Sequence, residues 1–146
     1  MQVKLIEPKL QDQYYLINAT EFMRIVDQQD LAQRKSDEII NSYHEYWLSK
    51  SNNGIYLFHP PEFYLTKGLA RFINGRHRML VLHKYLTEIP MALTNMDGCP
   101  VFADKPHQMS VEVLNSISVT KLNGNEVFNF PDLPIKYLGY DHNIGK

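Results

Sequence analysis

Leu69-Ala70-Arg71-Phe72-Ile73-Asn74-Gly75-Arg76-His77-Arg78-Met79-Leu80-Val81-Leu82 reads as a strand, a tight turn and the start of a helix in immediate succession. Apolar residues alternate up to Ile73, Asn74-Gly75 supplies the turn, and a helical run follows from Met79 to Leu86. Arg76, His77 and Arg78 then fall in the first helical turn. That end carries the positive pole of the helix dipole, so each uncompensated cation there costs about 0.3–1 kcal/mol. The cluster therefore needs a counter-charge. In one reading that is a bound phosphate, taken by free backbone N–H groups and by the forked guanidinium donors. In the other, Arg76 and Arg78 pair with carboxylates on neighbouring elements, and Gly75 only turns the chain.

Working outward, Met79, Leu82 and Leu86 make an apolar stripe, Glu88-Ile89-Pro90 predicts a stop, and Met91 to Thr94 predicts a returning strand. Strand, helix and strand form a βαβ-like unit. Upstream, Val3 to Ile6, Tyr14 to Ile17 and Ile55 to Phe58 read as strands, the last closed by Pro60-Pro61. Asn18 predicts a helix cap with Glu21 reaching back to it. Gln28 to Lys35 reads as polar surface, and Ser36 predicts the cap of a second helix carrying Ile39, Ile40, Tyr43 and Trp47. Downstream, Asn123-Gly124 predicts a hairpin between Val119–Leu122 and Val127-Phe128, and the tail from Pro131 reads as irregular.

The chain has 146 residues with no internal repeat or linker, which predicts one domain over residues 1–146. At 44% hydrophobic and 21% charged residues, an ordered globular protein is expected rather than a disordered one. A net charge of -1 argues against a nonspecific DNA coat, so any DNA contact needs a local basic patch. The lone Cys99 cannot form an intramolecular disulfide and agrees with a reducing cytoplasm. No stretch approaches the roughly 20 apolar residues of a membrane span, so a cytoplasmic location without membrane contact is expected. There is no P-loop and no Gly-x-Ser-x-Gly elbow.

The run from Phe72 through Asn74-Gly75-Arg76-His77-Arg78, its helix, and Ile89-Pro90-Met91 resembles the ParB/sulfiredoxin superfamily over residues 69–94. The resemblance implies an α/β (α+β) fold with a small mixed sheet flanked by helices. It also implies a nucleotide whose phosphates are held by the loop and helix start. By position, Gly75 is the loop glycine, His77 and Arg78 the phosphate-binding pair, and Arg76 the variable position between. Sulfiredoxins place their catalytic cysteine where this chain has Arg76, so sulfinic acid reduction is not expected. Partitioning proteins continue into a helix-turn-helix domain, whereas residues 95–146 read as strands and loops. The overall pattern is similar to small plasmid fertility-inhibition proteins, for which ATPase and DNase activities have been ascribed.

The candidate site therefore comprises Asn74, Gly75, Arg76, His77 and Arg78, with Arg71 on the preceding strand as a further phosphate contact or a solvated residue. His77 and Arg78 would stabilise charge if phosphoryl hydrolysis occurs. Glu62 and His59 are the candidates for a Mg²⁺ contact or a general base, His59 alternatively capping a strand end. No His or Cys pair has zinc spacing. The expectation is a nucleotide- or phosphate-binding protein of a plasmid, phage or other mobile element. ATP or CTP and Mg²⁺ would be its cofactors, and DNA a further ligand. Its protein partner would belong to a conjugative transfer or host defence machine. The alternative is a non-catalytic protein-binding inhibitor whose basic loop is a structural remnant.

Overall fold

Several strands and two helices form where the alternation and capping signals fall, and the strands assemble into two sheets rather than one. The computed structural model describes residues 1–6, 12–32, 47–51, 53–66, 68–94 and 113–133. In chain order the elements are β1 (Gln2–Leu5), β2 (Asp12–Asn18), α1 (Ala19–Ile25), α2 (Gln28–Ala32), β3 (Leu48–Lys50), β4 (Tyr56–Phe58), β5 (Glu62–Thr66), β6 (Leu69–Asn74), α3 (Arg76–His83), β7 (Glu88–Thr94), β8 (Val119–Leu122) and β9 (Val127–Asn129). One sheet has the order β3-β4-β1-β9, the other β6-β5-β7-β2-β8. Each mixes directions, with β1 parallel to β4 and β5 parallel to β7. The class is α+β. No helix among the described residues is long and apolar enough to cross a membrane.

The βαβ reading needs correction. β5 lies between β6 and β7, antiparallel to the first and parallel to the second. β6 and β7 therefore run in opposite directions, and the crossover joins β5 to β7 with β6 and α3 inside it. Pro60-Pro61 hid β5 in the sequence. Yet Phe63 and Leu65 alternate into the core, and Gly68, at φ 76°, turns the chain back into β6.

β7 also begins earlier than expected, at Glu88, and takes Pro90 into its interior. A proline cannot donate to a ladder, so an inner strand normally excludes it. Here β5 pairs with β7 only at Ala92 and Leu93. The Ala92 N–H points to that side, donating to the Pro61 carbonyl at 2.9 Å. By the period-two alternation of a strand, the Pro90 nitrogen faces the same side, beyond the end of the β5 pairing.

The Asn123-Gly124 turn forms, with Gly124 at φ 94°, but it does not close a hairpin. β8 pairs with β2 in one sheet and β9 with β1 in the other. The turn hands the chain from sheet to sheet. Glu126 holds it by accepting the Asn123 and Gly124 N–H groups at 2.7 and 2.8 Å.

One buried cluster joins both sheets. Around the five-stranded sheet, the Phe22 ring sits edge-on to Phe63 at 5.0 Å and near Phe72 at 5.9 Å. Met79 and Leu82 cover the same core from α3. At the smaller sheet, Trp47 meets Phe58 at 6.0 Å, and Phe58 meets Phe130 at 5.4 Å. Trp47 is thus a core residue. Asn18 caps α1 through the Glu21 N–H at 3.0 Å, but the Glu21 carboxylate does not return to Asn18. It accepts the Ser118 N–H at 3.1 Å and ties α1 to the start of β8. Most of the helix expected after Ser36, Cys99 and the tail past residue 133 lie outside the described residues, but the end of that helix does not: Leu48–Lys50 forms β3, paired with β4.

The half-buried Glu126 carboxyl titrates below its ordinary range: slight burial raises it, and the backbone N–H groups of its turn lower it further than that. Its contribution to stability is therefore present above the usual glutamate value and fades as pH falls through the lowered folded value. Glu126→Ala is expected to lower the melting temperature by a few degrees at pH 7, a difference that closes on acidification.

Candidate functional site

The basic corner starts from a backbone requirement. Gly75, between β6 and α3, sits at φ 93° and ψ 19°, the left-handed region that side chains resist. Space imposes the same choice, since a Cβ there would lie 2.8 Å from the Pro61 Cα and 3.1 Å from its Cβ. The chain can thus turn sharply against the Pro60-Pro61 segment. α3 opens with Met79 N–H donating to the Gly75 carbonyl at 2.8 Å.

Arg76 reaches back to α2. Its Nη2 lies 2.7 Å from Asp30 Oδ1, and the two side chains are 19% and 6% exposed. Asp30 Oδ2 accepts the Phe72 N–H of β6 at 2.8 Å. Both oxygens of this buried carboxylate are thus used, one by a guanidinium and one by the backbone of an edge strand. The sequence reading of residues 28–35 as polar surface fails at this residue.

Arg78 turns inward. It is 5% exposed, and its Nη1 donates to the His59 carbonyl at 2.7 Å and the Pro60 carbonyl at 3.0 Å. These two carbonyl contacts tie the helix start to the segment joining β4 and β5. Arg71 lies outside the corner, with Nε 3.7 Å from Asp27 Oδ2. Asp27 itself caps α2, accepting the Gln29 and Asp30 N–H groups at 2.9 and 3.3 Å. Being more than a third exposed, the Arg71 pair adds little. Asn74 is exposed at the end of β6, opposite Glu62. His77 is half-buried in the first turn and engaged with neighbouring groups.

Two predicted residues do come together elsewhere. His59 and Glu62 line a cavity of about 140 Å³ with Ile6, Asp12, Tyr14, Pro60 and Ala92. The cavity lies at the carboxyl ends of the parallel pair β1 and β4, beside the face of the five-stranded sheet bearing Tyr14 and Ala92. No arginine is among its described lining residues. Among the described residues no three His, Cys, Asp or Glu side chains converge as metal ligands, so His59 and Glu62 gain no third ligand here.

Asp30, Asp12 and Tyr14 are the residues that sequence reading passed over. Asp30 and Arg76 are separated by 46 positions, and no local pattern links them. Asp12 stood in a polar stretch, Gln11-Asp12-Gln13, that served only to separate two strands. Comparisons with family models, with curated proteins and with solved structures return no match for this chain.

Breaking a buried pair strands the remaining charge. Asp30→Ala, which removes the partners of both Arg76 and the Phe72 N–H, is expected to lose about 3 kcal/mol in urea unfolding. Gly75→Ala adds left-handed strain to a backbone clash and is expected to cost about 2 kcal/mol or more in the same measurement.

Proposed function

We propose that this chain is a non-catalytic binding protein whose basic corner belongs to its scaffold. One observation carries this reading: Arg76 and Arg78 already have counter-groups inside the protein, a buried carboxylate for the first and two carbonyls for the second. Phosphoryl chemistry depends on positive charge aimed at the reacting oxygens. Two of the three cations in the corner are instead spent on holding α2, β6 and the β4–β5 connection together. The class of partner, a transfer or defence machine met by a mobile-element protein, rests on the resemblance of residues 69–94 alone.

A second reading keeps the nucleotide and is favoured by the helix end itself. α3 has no side-chain cap and no acidic residue in its first turn, and its cap residue is a glycine. Backbone N–H groups there can take phosphate oxygens without help from the guanidinium groups. ATP or CTP binding, with Mg²⁺-dependent hydrolysis or DNA cleavage, belongs to this reading.

Calorimetric titration with ATP, CTP, GTP and a short DNA duplex, with and without Mg²⁺, separates the two. The scaffold reading expects no saturable heat, and it expects Arg76→Ala and Arg78→Ala to lower the melting temperature. Nucleotide binding abolished by either substitution at an unchanged melting temperature would overturn it. Binding that survives both would favour the helix-end reading.

A further inference from the structure

We propose that Asn53, in the turn between β3 and β4, is a self-modification site: the Gly54 nitrogen attacks its side chain and converts it to aspartate or isoaspartate. The inference uses none of the residues that build the basic corner and is independent of the proposed function.

The sequence contains three Asn-Gly pairs, Asn53-Gly54, Asn74-Gly75 and Asn123-Gly124. With no Cβ on the glycine, the backbone nitrogen is open to the side chain before it. Base removes the glycine N–H proton, and the nitrogen bonds to the asparagine Cγ. The Cγ–Nδ2 bond breaks, and Nδ2 takes up a proton from water and leaves as ammonia. Water then opens the resulting succinimide at one of its two carbonyls, giving aspartate or isoaspartate. By composition the three pairs are equivalent, but the fold separates them.

At Asn123 the attacking nitrogen is held. Gly124 is buried, and its N–H donates to Glu126 Oε1 at 2.8 Å. A carboxylate on that proton opposes its removal, because the nitrogen anion would face a second negative charge. At Asn74 the obstacle is packing. Gly75 is buried, and a Cβ on it would stand 2.8 Å from the Pro61 Cα. Contact this close restricts both the approach of base and the rotation that brings Cγ onto the nitrogen.

Neither obstacle is present at Asn53. Asn53 and Gly54 are both exposed, and a Cβ on Gly54 would meet nothing within 4 Å. The Gly54 N–H donates only to the neutral Ser51 carbonyl, at a long 3.3 Å. The electrophile is also prepared. Asn53 Oδ1 accepts the Ile55 N–H at 3.1 Å. The Ser51 hydroxyl touches the same oxygen and shares its one hydrogen with the Ile55 carbonyl. As the Gly54 nitrogen closes on Cγ, negative charge gathers on Oδ1, where these donors already point. The product places a new carboxylate in the β3–β4 turn and, as isoaspartate, one extra backbone carbon.

Peptide mapping by mass spectrometry of the folded chain, incubated at mildly alkaline pH, tests the assignment. The Asn53 peptide is expected to gain one mass unit about tenfold faster than the Asn74 and Asn123 peptides, with release of ammonia. In urea, where the three pairs lose their surroundings, the rates are expected to converge. Asn53→Gln is expected to remove most of the ammonia released by the folded chain. No conversion at Asn53, conversion of Asn74 or Asn123 at an equal or higher rate in the folded chain, the same ranking in urea, or ammonia release unchanged in Asn53→Gln would overturn the proposal.

Discussion

The carboxylate of Asp30 occupies the place where an edge strand, a short helix and a helix start would otherwise leave polar groups unmatched. β6 is the last strand of its sheet, and its outer N–H and C=O groups need partners. The Ala70 carbonyl accepts the Asp27 N–H at 2.9 Å, and the Phe72 N–H goes to Asp30. The α1–α2 connection thereby acts as a partial substitute for a sixth strand. The other Asp30 oxygen accepts the charge of Arg76, which the dipole of α3 disfavours where it stands. One buried anion thus settles two separate deficits, and its burial is sustainable because both oxygens are satisfied.

Arg78 does comparable work on the other side of the corner. Its two carbonyl contacts fix the His59-Pro60 backbone, and Pro61 lies close enough under Gly75 to exclude any side chain there. His59 and Pro60 in turn form part of the cavity wall. The helix start and the cavity therefore share one segment, His59-Pro60-Pro61. Through Arg78 the basic motif ties the start of α3 to the segment that joins the two sheets.

Much of the local structure was legible, because capping and alternation are short-range. Asn18 caps α1, Gly75 separates β6 from α3, and β1, β2 and β4 fall on their alternating runs. The failures were of two kinds. Pro60-Pro61 and Ile89-Pro90 read as breaks, yet β5 starts directly after the first pair and β7 runs through the second. A proline is harmful only where its missing N–H faces a partner, and that depends on how far the neighbouring strand extends. Asn123-Gly124 gave the turn but not the destination of the strands, which join different sheets.

The sequence alone determined where the chain turns, which residues are apolar on each strand, and that three cations stand together at a helix start. It could not determine what neutralises them, since Asp30 is distant along the chain and stands in a polar run with no distinguishing spacing. Tertiary structure decided that Arg76 and Arg78 serve internal groups, and that Asp12, Tyr14, His59 and Glu62 meet around a cavity. The physical reason is the range of the forces involved. Turns and caps are fixed by neighbouring dihedrals and hydrogen bonds, whereas the partner of a buried charge is whichever group the packing of sheets and helices brings within reach.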